Sequence, residues 1–528
     1  MARVVIDPIT RIEGHLKIEV EVTNGAVSDA WSSGTMARGI EKMLIGRDPR
    51  DATYVTERLC GVCFGSHGWA SSVAVEKAQG TKKLPDLARL LRNLILGACW
   101  LHDKPLHFYH LSALDYLDLA VLLNYSGADA SLLQLKELIK ANQAGPLLPR
   151  YSPDEYCVKD LDLVVHCVQS YLTALKMQAV AKKMAAIFCG KQPHQSSIVA
   201  GGVTMLPDAE QRAAFKALLD QVADFIKNTY VADVVLLGTG PLLPLAKSDV
   251  GVGYQNFLCY GGFPEDATGE NHLLPAGAVV DGTLKETSPA AIEQKISEEV
   301  KYSWYSDSDG GHPYNEAQNF ILDKTGAYSF LKAPRYDGNP MEVGPLARLM
   351  VAIARKNQHS AVQKLADLVG QGVKPGAVAR HAARALEALM IVDGMYRWLN
   401  ELEQRVGKGD RVIHDTAHWE PPAGGKGYGL VEAPRGALGH WAVISKKVLA
   451  NYSMVVSTTW NASPRDAAGK PGPIEKALIG CPVPDLKNPV NIVRIVRSFD
   501  PCIACAVHVI HPGSNKITRI ELNSVATL

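Results

Sequence analysis

Long apolar runs, dense cysteine and an excess of charge are all missing from this chain, and each absence argues against a class of protein. No stretch of about 18 uncharged apolar residues occurs, which argues against a membrane-spanning helix. Ten cysteines among 528 residues fall far short of a disulfide scaffold. Lys and Arg number 55 against 54 Asp and Glu, a formal net charge of +1, so nothing announces a nucleic-acid or membrane-surface binder. The opening residues, from Met1 through Asp7 and Pro8, meet a charge and a proline too early for a signal-peptide core. Any export would need a signal carried by a partner. Low-complexity blocks, repeats and linker-like shifts of composition are also lacking.

What is present is an apolar content of 47%, enough to bury a large core without staples. Length alone suggests roughly three domains, but the even composition favours one intimately packed unit. Leu16, Ile18, Val20 and Val22 alternate with polar neighbours and predict a strand, with Asn24-Gly25 as a hairpin turn and residues 26–31 returning. From about residue 70 the period turns helical, and Leu87, Leu90, Leu91, Leu94 and Ile95 form one stripe. Further helices are expected at 112–123, 130–143, 160–189, 208–229, 345–369 and 375–406. Residues 250–345 read as short strands and long loops, and after 410 the clearest strand is 452–459. The expected fold class is α+β, predominantly α: a large single-domain helical bundle with small peripheral β-sheets.

Six cysteines stand alone (Cys99, Cys157, Cys167, Cys189, Cys259 and Cys481) and read as buried hydrophobes. The other four are paired. Glu57-Arg58-Leu59-Cys60-Gly61-Val62-Cys63 is followed by His67, and Asp500-Pro501-Cys502-Ile503-Ala504-Cys505 by His508. Two-residue spacing lets both thiolates of a pair reach one ion. Three readings compete on spacing alone. A four-cysteine zinc site is the plain one, but zinc pairs usually lie within some tens of residues, whereas Cys63 and Cys502 stand 439 positions apart. Two thioredoxin-like dithiols would want a helix N-terminus behind each cysteine. A buried soft-metal centre would use all four thiolates, donors that suit nickel and iron.

The two motifs resemble the signatures of nickel–iron hydrogenase large subunits, of the respiratory uptake type with some likeness to the nickel–iron–selenium subgroup. Segments similar to the family run in order between them: Asp7-Pro-Ile-Thr-Arg-Ile-Glu13-Gly-His15, Gly46-Arg-Asp-Pro-Arg-Asp51, His107-Phe-Tyr-His-Leu111, Lys332-Ala-Pro-Arg335, Glu342-Val-Gly-Pro-Leu-Ala-Arg348, Glu432-Ala-Pro-Arg435 and Thr459-Trp-Asn-Ala-Ser-Pro-Arg465. The resemblance implies an α-rich domain whose chain ends converge on a buried Ni–Fe centre, with carbon monoxide and cyanide on the iron. Cys63 and Cys505 would bridge the metals, and Cys60 and Cys502 would be terminal nickel ligands. Glu13 would relay protons from Cys502, since a carboxyl in an apolar site has a raised pKa. Arg435 would overhang the metals, held by Asp103 and Asp500 through charge-assisted hydrogen bonds. His67 and Thr458 would border the cofactor, Thr458 offering a hydroxyl to cyanide. Glu41, His508 and a backbone carbonyl near Met454 would hold a magnesium-type ion. Val62 and Leu111 match positions along the gas route, although ordinary core packing explains an apolar pair as well.

One position departs from most relatives: Ser457 stands where they have proline, as in the selenium subgroup, yet position 502 is cysteine and the site reads as all-sulfur. Residues 1–508 would form the domain, and 509–528 a tail removed by a maturation endopeptidase after nickel-insertion proteins act. The implied activity is reversible oxidation of dihydrogen, with electrons leaving through an iron–sulfur small subunit, because the six remaining cysteines stand alone and offer no set for a cluster relay. Periplasmic location is expected, with membrane association through that partner. The alternatives are a hydrogen sensor with the same centre, the quinone-reducing respiratory subunit that shares the fold but lacks the four cysteines, and a zinc-stabilised scaffold.

Overall fold

Asn24 and Gly25 both take positive φ (54° and 76°), the geometry a two-residue hairpin turn needs, and the strands either side of them pair as the alternation predicts. Leu16–Thr23 buries every second residue and lies between Ala26–Gly34 and Ala2–Ile6 in an antiparallel three-stranded sheet. The computed structural model describes residues 2–147, 151–315 and 318–506.

Helices build the centre. Asp86–Pro105 carries the predicted leucine stripe, but its opposite face is buried too, with Arg89, Arg92 and Asn93 inside. It is therefore a core helix rather than a surface one, packed between Leu161–Cys189 and Ala377–Gly407. Small two- and three-stranded sheets surround this bundle, as expected for the α+β class.

Four boundaries differ from the sequence expectation. Pro105 lacks an N–H, and the chain leaves α-helix there for a π-helical turn (Leu106–Ser112) and two 3-10 turns, Ala113–Tyr116 and Leu119–Asn124, instead of a helix at 112–123. The expected helix at 208–229 starts at Ala209, passes a π-helical turn at Ile226–Tyr230 and runs on to Thr239. The helix expected at 345–369 is two, Pro345–Ala354 and Ser360–Gly370. Lys356 turns left-handed (φ 55°) between them, and His359 caps the second by accepting the Ala361 N–H. The strand expected at 452–459 ends at Val455, and Ser457–Asn461 is a short helix, its first hydroxyl donating to the Gly436 carbonyl at 2.7 Å.

A stripe of small residues fixes the helix that begins at the first cysteine pair. Gly425, Gly427 and Gly429 share one face of the Gly424–Ala433 strand, while Ala70, Ala74 and Ala78 recur every four residues along Phe64–Gln79. A Cβ at any of the three glycines would come within 2.2 Å of an Ala70, Ala74 or Ala78 carbonyl oxygen. Backbone thus packs on backbone, and the helix start, with Cys63 as its cap, is set by the sheet beneath it.

Candidate metal centre

The first pair sits in the tight turn between the helices Ala52–Glu57 and Phe64–Gln79. There the Cys60 sulfur accepts the N–H groups of Val62 and Cys63 at 3.2 and 3.3 Å. Cys63 caps the following helix, whose positive N-terminal end favours a thiolate. The second pair is carried by a turn in which Asp500 is left-handed (φ 57°) and the Cys505 N–H donates to the Cys502 carbonyl at 3.2 Å.

Residues near the chain start stitch the two together. The Glu13 N–H donates to Pro501 (3.3 Å) and the Ile503 N–H to Glu13 (2.7 Å). Gly14 must be glycine: its φ is +84°, and a Cβ would lie 2.4 Å from the Ala504 nitrogen. Arg38 spans the gap, donating to both the Leu59 and Ala504 carbonyls. Sequence reading passed over Arg38, since no local pattern distinguishes a half-buried arginine before a glycine.

The four sulfurs converge. Cys63–Cys505 is 3.1 Å, Cys502–Cys505 2.9 Å, Cys60–Cys502 3.6 Å and Cys63–Cys502 3.9 Å. All four lie within 4.8 Å of one another and all are buried. Burial pushes the Cys502 and Cys505 thiols well up, whereas hydrogen bonds from its neighbours, Cys502 first, pull Cys60 down. So many sulfurs at such distances cannot all ionise without a cation among them. The other six cysteines are free and apart from this cluster: Cys167, Cys189, Cys259 and Cys481 are buried, and Cys99 and Cys157 half-buried.

Arg435 lies against the cluster, buried and charged. Its Nε is 3.0 Å from Asp500 and its Nη1 3.6 Å from Asp103, and these two carboxylates, Asp500 first, hold its pKa above the ordinary arginine value despite burial. Both contacts are ion pairs and not the charge-assisted hydrogen bonds expected: Nε and Nη1 have no aligned acceptor among the described residues. Glu13, half-buried, has its carboxyl raised by burial and by the Cys60 charge, with Arg435 and Arg38 opposing. It forms no edge strand, only the single bridge to Cys502.

The Thr458 hydroxyl oxygen accepts the Cys502 N–H at 2.9 Å, which leaves its proton to donate. The His67 Nδ1 pairs with His440 Nε2 at 3.2 Å, and His440 Nδ1 with the Tyr452 hydroxyl at 2.7 Å; burial brings His67 down to about 4, so it is neutral. Glu41 is buried, not solvated, and accepts the Met454 N–H at 2.9 Å. A cavity of about 10 Å³ adjoins it, bounded by Glu298, Gln318, Lys332, Met454 and Ala506. His508 and the tail 509–528 lie outside the described residues. Val62 and Leu111 are half-buried.

Comparison with known proteins agrees with this geometry. A family profile described as nickel-dependent hydrogenase matches residues 38–508, and one described as HoxL-like matches residues 3–32. The chain is 38% identical to the periplasmic [NiFeSe] hydrogenase large subunit of Desulfomicrobium baculatum, covering 98% of both chains. It is 36% identical to the quinone-reactive Ni/Fe-hydrogenase large chain of Wolinella succinogenes, covering 99% of this chain and 98% of that one. Among solved structures, the Ni-Fe-Se hydrogenase from D. vulgaris Hildenborough in its as-isolated oxidized state superposes with a TM-score of 0.84 at 38% identity, covering 96% of this chain and 100% of that chain. The chain belongs to the nickel-dependent hydrogenase large-subunit family, oxidoreductases that act on dihydrogen.

Proposed function

We propose that this chain catalyses the reversible heterolytic oxidation of dihydrogen to protons and electrons at a nickel–iron centre held by Cys60, Cys63, Cys502 and Cys505. The observation that carries it is the cluster of four buried sulfurs within 4.8 Å, contributed in pairs by two distant motifs. Soft thiolates fit nickel and iron, and nearby donors fit ligands on iron. Arg435 offers unaligned N–H groups, and Thr458 a free hydroxyl proton for cyanide. Cys63 and Cys505 are assigned as bridges, and Cys60 and Cys502 as terminal nickel ligands.

When bound, the metal pair supplies the Lewis acidity that splits dihydrogen unevenly. The chain handles the proton. The Cys502 sulfur takes it, and the Glu13 carboxyl, its pKa raised first by burial, receives it and hands it outward. Arg435 keeps a fixed positive charge over the site, with Asp103 and Asp500 as counter-charges. His67, neutral and tied to His440, borders the centre without adding charge. Glu41, the Met454 carbonyl and His508 are assigned to a magnesium-type ion near the chain end, where oxygen donors suit a hard cation.

Electrons leave through an iron–sulfur small subunit. The relatives include a periplasmic enzyme, which supports periplasmic placement, and any membrane association runs through that partner. Residues 1–508 form the mature domain, and 509–528 are removed by a maturation endopeptidase once nickel-insertion proteins have loaded the site. The test is metal analysis, infrared spectroscopy and intact mass of the purified active complex. One nickel and one iron per chain, carbon monoxide and cyanide bands, and a mass ending at His508 are expected. Zinc alone would overturn the function, and active enzyme retaining Leu528 the processing.

A further inference from the structure

Four charged side chains meet behind Arg435. Arg348, on the Pro345–Ala354 helix, donates Nη2 to Glu387 Oε2 at 2.9 Å and Nε to Glu387 Oε1. Its Nη1 donates to Glu432 Oε2 at 2.8 Å and to the Ala433 carbonyl at 2.9 Å, and Nη2 to the Pro434 carbonyl at 3.0 Å. Lys104 Nζ donates to the same Glu387 Oε2. Arg348, Glu387 and Glu432 are 0% exposed and Lys104 1%. Burial brings Lys104 down to about 8, and Arg348, working against burial, brings Glu387 down to about 2, so both remain charged near neutral pH.

A buried ion network is weak evidence for stability, because its desolvation cost offsets much of the attraction. What this one does supply is geometry. Lys104 follows Asp103 on the Asp86–Pro105 helix, and Pro434 immediately precedes Arg435. The network therefore grips the chain next to both members of the 3.6 Å Arg435–Asp103 pair. A third restraint adds to it: a Cβ on Gly344, just before the Arg348 helix, would lie 3.0 Å from the Arg435 carbonyl oxygen.

We infer that the Arg348–Glu387–Lys104 bridge is a positioning device that sets the Arg435 guanidinium against Asp103 and over the thiolate cluster. Arginine suits the task because its rigid fork holds a carboxylate on one helix and carbonyls on a separate strand end at once, which a lysine ammonium cannot reproduce. The inference rests on the role proposed for Arg435 at the metal centre.

The test compares the matured complex carrying Arg348→Lys, Lys104→Met or Arg435→Lys with the parent. Arg348→Lys is expected to retain nickel and iron, shift the cyanide infrared bands, and lower kcat roughly a hundredfold with KM for dihydrogen unchanged. Lys104→Met leaves the Arg348–Glu387 pair in place and is expected to shift the same bands less. Metal-loaded Arg348→Lys with parental bands and kcat would overturn the inference. Should Arg348→Lys fail to mature, Lys104→Met decides: shifted bands support the bridge and parental ones overturn it. Failure of both to mature makes the bridge a folding element and overturns it too. A silent Arg435→Lys would instead remove the role proposed for Arg435, whereas an altered Arg435→Lys beside two silent bridge variants overturns the bridge alone.

Discussion

The sulfurs of Cys63 and Cys505 lie 3.1 Å apart although 442 positions separate them in the chain. Nothing local to either motif brings them together. Arg38 spans the two motifs by donating to the Leu59 and Ala504 carbonyls, while the backbone bonds of Glu13 to Pro501 and Ile503 fix the second motif against the chain start. Closing the chain ends and assembling the metal site are one event.

Cys505→Ser therefore removes nickel altogether, since the remaining three thiols cannot complete the centre. Cys481→Ala, at a buried thiol outside the cluster, is expected to keep full nickel occupancy. Elemental analysis of the purified complex checks both; nickel retained in Cys505→Ser would refute the ligand assignment.

Glu13→Gln keeps the side chain's size and the backbone bridge to Cys502 but abolishes proton exchange. Turnover is expected to fall by about 10²- to 10⁴-fold with nickel and iron unchanged. Hydrogen-uptake assays alongside metal analysis read this directly. Retained turnover would show that protons leave by another route.

The glycine stripe gives a stability prediction. Gly427→Ala places a Cβ 2.2 Å from the Ala74 carbonyl oxygen, so strand and helix must separate. A loss of about 1–3 kcal/mol or more is expected. Gly407→Ala, at an exposed helix end with nothing within 4 Å, should instead stabilise by a few tenths, about 0.4 kcal/mol. Denaturant titration of the two variants side by side checks the contrast.

Acid sensitivity follows from two half-buried histidines. Burial lowers His110 and His272 from 6.5 to about 4. His110 is held as the neutral ring, with the Gln178 amide donating to Nδ1 and Nε2 facing the Tyr171 carbonyl. Between pH 6.5 and 4 the unfolded chain binds more protons than the folded one, so stability is full above 6.5 and is lost as pH falls through about 4. His272→Gln is expected to flatten this slope; denaturation midpoints measured from pH 4 to 7 would show no change in slope if the assignment is wrong.

Some of the fold was legible because its cause is local. The Asn24-Gly25 hairpin and the leucine stripe from Leu87 to Ile95 each depend on a few adjacent residues, and both stand as read. The breaks at Pro105 and Lys356 were less visible. Apolar periodicity continues across them, while the backbone geometry that ends each element is settled by a missing N–H or a left-handed residue.

At the site, the two Cys-x-x-Cys pairs left zinc, redox-dithiol and soft-metal readings open, and the ordered family segments chose among them and named the chemistry. Sequence alone determined that much, because coordination chemistry and motif order are carried by residue identity. The tertiary structure decided the rest. It brought the Cys60–Cys63 and Cys502–Cys505 pairs within bonding reach of one ion, buried Glu41, tied His67 to His440 and assembled the ionic bridge behind Arg435. Those relations are distances across the fold, and they exist only after backbone packs on backbone, as Gly427 does on Ala74.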